Sequence, residues 1–246
     1  YEIDFDLMEE TITDETRIFI LCNPHTPVGR VFRRGELETI AEICLREDVL
    51  ICSDEIHCDL LLDDNAHVPI ASLAPEVGAQ TVTLMAPSKT YNIAGLKCSV
   101  AIIQNDKLRR RFCEMYSGLM PGVNILGYTA ALAAYRDGGP WLDAALSTME
   151  ENRDIVRDFV SEELPGISMG NPEGTYLAWL DCRGSDIPGN PHTFFLERGK
   201  IALNDGATFG SGGKGFVRLN FGCPRAVLHE GLTRMKRALM SLEGAS

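Results

Sequence analysis

Three residues have side chains suited to carbonyl and amine chemistry, and each stands where a sheet would present it. Lys89 lies in Met85–Lys97, MAPSKTYNIAGLK, just past the apolar run Gln80–Ala86, QTVTLMA, which reads as a buried strand. An ammonium loses its water when buried, at considerable cost. A lysine among small residues at a strand end therefore suggests a chemical use, because desolvation lowers its pKa and leaves a nucleophilic neutral amine. Asp54 follows the apolar strand Val49–Ser53, VLICS, within SDEIH. Arg218 sits inside a third apolar strand, Phe216–Phe221, FVRLNF. Singly, each has an ordinary explanation. A strand-end aspartate often caps a turn or helix, a lysine after a strand is usually solvated, and a strand arginine often pairs with a structural carboxylate.

Together the three fit one chemistry. Pyridoxal 5'-phosphate needs a lysine to form an imine with its aldehyde. It also needs a carboxylate against its pyridine nitrogen, so that the protonated ring can withdraw electrons. An amino-acid substrate needs a cation for its α-carboxylate, and the planar fork of arginine suits that role through two parallel hydrogen bonds.

The elements that would position these residues alternate. Arg17–Cys22, Val49–Ser53, Thr81–Ala86 and Cys98–Gln104 read as strands, the first as a buried one. Glu36–Asp48 has helical spacing, with Leu37, Ile40, Ala41 and Cys44 on one face. This alternation predicts an α/β fold with a mostly parallel sheet and helices on both faces. Ligands then sit beyond the carboxyl ends of the strands. Helical patterns follow over Asp106–Leu119 and Val123–Tyr135, broken by Asp137-Gly138-Gly139-Pro140, and again over Trp141–Leu164. After Pro165 the character changes to strands at Thr175–Asp181 and Phe216–Phe221, a helical segment near His192–Gly199 and a closing helix over Arg225–Leu242. We expect two domains, residues 1–140 and a smaller α+β C-terminal domain over 141–246.

Composition narrows the function classes. Of 246 residues, 45% are hydrophobic and 24% charged, which suits an ordinary globular protein. A net charge of -12 disfavours nucleic acid and anionic membrane surfaces as partners. Eight cysteines without a C-x-x-C pair read as buried free thiols in a reducing cytoplasm rather than zinc ligands or disulfides, and no metal is expected. The chain opens on Tyr1 in mid-pattern, as a fragment or processed chain would. Gly210–Gly215, GSGGKG, matches G-x-G-x-x-G formally. A strand follows it where a dinucleotide site needs a helix, and no Ser or Thr follows Lys214, so it reads as a flexible loop.

The segments NPHTPVGR, SDEIH, APSKTYNIAGLK, GTYLAWLD and NDGATFGSGGKGFVRLNFGCPR resemble the fold-type I pyridoxal-phosphate enzymes of the class I/II aminotransferase group, and more narrowly its MalY/PatB branch of cystathionine β-lyase-like C–S lyases. The resemblance runs from about Arg17 to the last helix. It implies that Lys89 holds the cofactor, that Asp54 is the pyridinium partner and that Arg218 anchors the α-carboxylate. It places His57 near the cofactor's phenolic oxygen, where a surface or capping role is the alternative. Ser88 becomes a candidate phosphate ligand. Thr26 stands where the wider group has an asparagine reaching the phenolic oxygen, and its hydroxyl is shorter. Lys97 stands where many relatives carry a phosphate-binding arginine; it either neutralises phosphate as a point charge or points to solvent. The resemblance further implies a large-domain fold of the pyridoxal-phosphate transferase kind, an N-terminal stretch beyond this chain, a homodimer and a small amino-acid substrate. The expected function is a C–S β-lyase acting on cystathionine or cysteine-like amino acids. An aminotransferase using the same residues is the first alternative, and a truncated, non-catalytic regulator or scaffold is the second.

Overall fold

A computed structural model of the chain describes residues 1–119 and 121–243. They form two compact units, Tyr1–His25 with Arg30–Ala144, and Thr26–Gly29 with Ala145–Ser246. The division falls within a helix a few residues past the expected position at 140, and residues 244–246 of the expected second domain lie outside the described residues.

The first unit contains the helices α1 (Phe5–Thr11), α2 (Arg34–Arg46), α3 (Pro75–Ala79), α4 (Pro87–Thr90), α5 (Asp106–Tyr116) and α6 (Ile125–Asp137). Its strands are β1 (Ile18–Cys22), β2 (Leu50–Asp54), β3 (Thr81–Met85) and β4 (Val100–Ile103), ordered β1-β2-β3-β4. The first three run parallel and β4 is antiparallel to β3. The reversal has a chain-length cause. Between β3 and β4 the only regular structure is the single turn α4 and a short 3-10 turn, too little for a helical crossover between parallel strands.

Helix α2 forms where the sequence pattern placed it. Glu36 accepts the Arg33 backbone N–H at 2.9 Å and closes the N-terminus. Leu37, Ile40, Ala41 and Cys44, spaced at i, i+3, i+4 and i+7, are all buried against Leu21 and Ile51 of the sheet. Asp48, with φ 53°, turns the chain from α2 into β2. The alternate face of β1 behaves differently from expectation. Ile18 and Ile20 are 55% and 73% exposed, so this apolar run is a strand with one open face and not a buried one.

The second unit contains α7 (Gly139–Glu163), in which the division falls, then β5 (Ser168–Met169), β6 (Leu177–Asp181), α8 (Pro191–Phe194), β7 (Asn204–Asp205), β8 (Phe216–Asn220) and α9 (Arg225–Glu243). Its sheet is antiparallel, ordered β5-β6-β8-β7. Leu180, Val217, Phe195, Phe221, Leu232 and Met235 are fully buried in its core. Asn152 of α7 donates to the carbonyls of Phe221 (2.9 Å) and Cys223 (2.8 Å), fixing the chain where it leaves β8. The Gly210–Gly215 stretch, expected as a flexible loop, is folded as a 3-10 turn over Ser211–Gly213, directly after another over Gly206–Phe209. Gly206 and Gly213 let the two turns touch, since a Cβ on Gly213 would lie 2.0 Å from the Gly206 carbonyl oxygen. All eight cysteines are free thiols, and Cys113 is exposed where burial was expected.

Candidate active site

The sequence candidates fall on both units. Asp54, His57, Ser88, Lys89 and Lys97 lie on the first, Thr26 and Arg218 on the second.

In the first unit, Asp54 is the last residue of β2 and pairs in register with Leu84 of β3. The chain leaves β3 one residue later and turns at once through α4, which carries Ser88 and Lys89. Two neighbouring strands thus deliver the carboxylate and the amine to the same sheet end, where parallel sheets bind ligands. Asp54 Oδ1 accepts the Ile56 backbone N–H at 3.2 Å, which orients the carboxylate and leaves Oδ2 without a bond among the described residues. His57 follows in a tight turn, in which its carbonyl accepts the Leu60 N–H, and the residue is 6% exposed. A partly buried bond joins the two segments: Thr90, beside Lys89, donates its hydroxyl to Asp59 Oδ2 at 3.1 Å. Cys58 lies in the same turn. Burial pushes its thiol up to about 12, which keeps it protonated and poorly nucleophilic.

One candidate differs from expectation. Lys89 was expected to be desolvated; it is exposed, with no ion pair or hydrogen bond among the described residues. Pro87 and Thr90 are the residues this one-turn helix buries, and Lys89 lies on its open side, so this chain by itself does not strip the amine of water. Lys97 is likewise exposed, with left-handed backbone at φ 51° closing a 3-10 turn. Ser88 is half-buried in α4.

In the second unit, Arg218 lies in the middle of β8 with Trp179 of β6 opposite on one side and Asn204 of β7 on the other. Its Nε and Nη2 donate to Asn204 Oδ1 at 3.4 and 3.1 Å. Its guanidinium lies 4.7 Å from the centre of the Phe209 ring. Partial burial lowers the pKa of Arg218, opposed by the nearby Tyr176 phenol. The Nη1 nitrogen makes no bond among the described residues, so it remains available to an anion. Thr26 is half-buried in the short Thr26–Gly29 segment. Gly29, with φ 76°, ends that segment, where its carbonyl accepts the N–H groups of Glu173 and Gly174.

Sequence reasoning missed the residues that hold these groups in place. Asn204 and Phe209 support Arg218. Thr90 and Asp59 link the two first-unit segments. Glu55, only 1% exposed, hydrogen-bonds Ser53 and His67 beneath Asp54. The one available signal was Glu55 itself, a charge directly after an apolar strand. The others become visible only through strand register.

The family model described as aminotransferase class I and II matches residues 1–235. The chain belongs to the class I and II aminotransferase family. Its relatives include the cystathionine beta-lyase PatB of Bacillus subtilis, 42% identical over 97% of this chain and 62% of PatB. The structure of OvoB superposes with a TM-score of 0.93 at 46% identity, covering 98% of this chain and 62% of that one. Cystalysin from Treponema denticola, whose crystal structure contains a pyridoxal 5'-phosphate cofactor, gives 0.93 at 37% identity, with the same coverage. The chain therefore spans a little over three-fifths of the length of these relatives. The α/β fold class expected from the sequence is the fold of this family.

Proposed function

We propose that this protein is a pyridoxal 5'-phosphate-dependent C–S β-lyase acting on cystathionine or cysteine-like amino acids. The observation that carries the reading is the strand-end pair. Asp54 closes β2 beside Leu84, and the chain leaving β3 runs straight into the turn bearing Lys89. The donor set fits the cofactor: an amine without a competing partner, and a carboxylate with one oxygen engaged by backbone and the other open to a ring N–H. The likeness to PatB and cystalysin supports the same choice.

Lys89 is the residue to hold the cofactor's aldehyde carbon, and Asp54 Oδ2 the acceptor for its ring N–H. Ser88 and Lys97 are the proposed phosphate ligands, with His57 and Thr26 assigned to the phenolic oxygen. Arg218 takes the substrate α-carboxylate through Nη1, the nitrogen that Asn204 leaves open. When bound, the cofactor supplies a sink for the electron pair left on the α-carbon. Lys89 Nζ, freed as a neutral amine, accepts the α-proton. The β-thiolate then departs with the Cβ–S bonding electrons. The remaining three-carbon fragment hydrolyses to pyruvate and ammonia.

The same reading includes a cytoplasmic homodimer. Eight free thiols suit a reducing compartment, and exposed apolar side chains such as Ile20 and Leu126 suit a surface covered in an assembly. Among the described residues, no helix is long and apolar enough to cross a membrane.

Visible absorption and product analysis test the proposal together. Protein with added pyridoxal 5'-phosphate should develop a visible band that Lys89→Ala abolishes, and should release pyruvate and a thiol from cystathionine. Formation of a 2-oxo acid with amine transfer and no thiol would assign the aminotransferase reaction to the same residues. A protein that stays colourless with added cofactor would leave the non-catalytic reading standing.

A further inference from the structure

The proposed reaction does not use the most deeply buried carboxylate of the first unit. Glu55 directly follows Asp54, and its backbone N–H donates to the Leu84 carbonyl at 2.9 Å, extending the β2–β3 ladder by one bond. Residues in an extended strand alternate between faces. Asp54 and Glu55 therefore project to opposite sides of the sheet, and Glu55 shares its side with Ser53 and Ile51. Ser53 Oγ donates to Glu55 Oε1 at 2.8 Å, and His67 Nε2 lies 2.8 Å from Oε2. Ser53 is fully buried, and the side chains of Glu55 and His67 are 1% and 9% exposed.

Asn23 completes the arrangement and fixes its polarity. Its Oδ1 accepts the Phe32 backbone N–H at 3.1 Å, which determines which way the amide faces. The Nδ2 group therefore faces His67 Nδ1, at 3.4 Å. A donor there requires a lone pair on Nδ1, so the proton sits on Nε2 and is donated to Glu55. The Asn23 backbone N–H in turn donates to the Asp54 carbonyl at 3.0 Å. The chain of bonds thus leaves Asp54 through Glu55, passes through His67 and Asn23, and returns to Asp54 from the adjacent strand.

We infer that Glu55 and His67 are positioning residues that clamp the end of β2 from the covered side of the sheet, and so set where Asp54 and His57 point on the ligand side. The inference rests on the proposed role of Asp54 but adds residues which that role does not require. A buried carboxylate with both oxygens engaged holds its backbone rigidly, because releasing either bond leaves an unsatisfied buried group.

The test compares full chains carrying His67→Ala, His67→Gln and Ser53→Ala, using two independent measurements. The first is amide hydrogen exchange. In His67→Ala, the Asn23 and Ile56 amides should exchange about tenfold faster or more, because local opening is no longer opposed by the buried bonds, while the Phe19 and Ile51 amides keep their rates. His67→Gln, which can still donate to Glu55, should recover most of the protection. If His67→Ala does not fold, Ser53→Ala removes one bond of the clamp and should show the same local pattern more weakly. The second is the visible band of bound pyridoxal 5'-phosphate. Its pH midpoint should move in the alanine variants and return in His67→Gln. Unchanged or uniformly altered exchange would overturn the clamp. Local exchange changes with an unmoved band in a protein that binds the cofactor would reduce the clamp to a purely structural role and overturn its positioning role. A wild-type chain that binds no cofactor would sink the proposed function, while the exchange pattern still decides whether the clamp exists.

Discussion

The two units hold their chemical groups by opposite means. In the second, Arg218 is part of a strand, flanked in register by Trp179 and Asn204, bonded to Asn204 and lying against Phe209. Its direction is set by the sheet and by contacts to the guanidinium itself. In the first, Lys89 and His57 stand on single turns beyond the strands, and the supporting bonds go to neighbours: Thr90 to Asp59, and Glu55 to Ser53 and His67. A group that must move during a reaction, as the amine of the proposed function would, is better placed on a turn whose base is fixed. A group that only has to recognise a carboxylate is better placed on a strand.

The largest effect should come from the group on the turn. On the proposed function, Lys89→Ala removes both the attachment point and the base and should cut kcat about a thousandfold or more, within the usual range for loss of an acid–base residue alone. Single-turnover assays with cystathionine check it. If Lys89→Ala retained the band and the rate, the first unit would hold no such group. Arg218→Lys should act differently. It keeps the charge but loses the fork and the contact with Phe209, so kcat/KM should fall by about ten- to a hundredfold, mostly through KM. Asn204→Ala should give a smaller loss with the same KM signature, because the guanidinium keeps its charge but loses its direction. A pure kcat effect in either variant would mean that Arg218 does more than recognise.

Much of this contrast was legible in the sequence, and the illegible part has a common cause. Strand ends and the buried face of α2 follow from apolar runs and periodicity, which are local signals, whereas the Asp54–Lys89 relation came from the chemistry of the two residue types and from the family resemblance. The supports of Arg218 are fourteen and nine residues upstream of it and become partners only through the β7–β8 pairing and the turns before it. His67 carries no local sign at all, because AHVPIA reads as loop. The desolvation of Lys89 was inferred from its neighbours' polarity, but exposure depends on what covers α4, which composition does not encode. The exposure of Ile18 and Ile20 has the same origin: an apolar run reports a preference for burial, not which face is covered.

Between these and the weakest effect stands a stability test confined to the second unit. Gly213→Ala would place a methyl 2.0 Å from the Gly206 carbonyl oxygen, and backbone cannot yield as a flexible side chain would. We expect a loss of about 1–3 kcal/mol in urea unfolding. Gly35→Ala is the control in the first unit: no atom lies within 4 Å of its new Cβ, the site is an exposed helical position, and a small gain of about 0.5–1 kcal/mol is expected. Equal effects at the two sites would erase the distinction between a packed turn and an open one.

The smallest effect concerns a charged pair at the far end of β6. Arg183 donates through Nε and Nη2 to Asp181 at 2.8 and 2.7 Å, and its guanidinium lies over the Phe216 ring. The hydrogen bond from Arg183 is the main cause holding the Asp181 pKa below the ordinary carboxylate value of 3.8. A carboxyl whose folded pKa is depressed contributes its stabilisation in full above its unfolded value, and loses it as pH falls through the folded one. Asp181→Asn should therefore cost the second unit stability at neutral pH, and the difference from wild type should close below the ordinary carboxylate range. The pair is partly solvated, so the cost at pH 7 should be about 1 kcal/mol or less. Urea unfolding at pH 7 and at acid pH checks it. Nothing in the first unit should respond, and a shift in the exchange of the Asn23 or Ile56 amides in this variant would mean that the two units do not hold their groups independently.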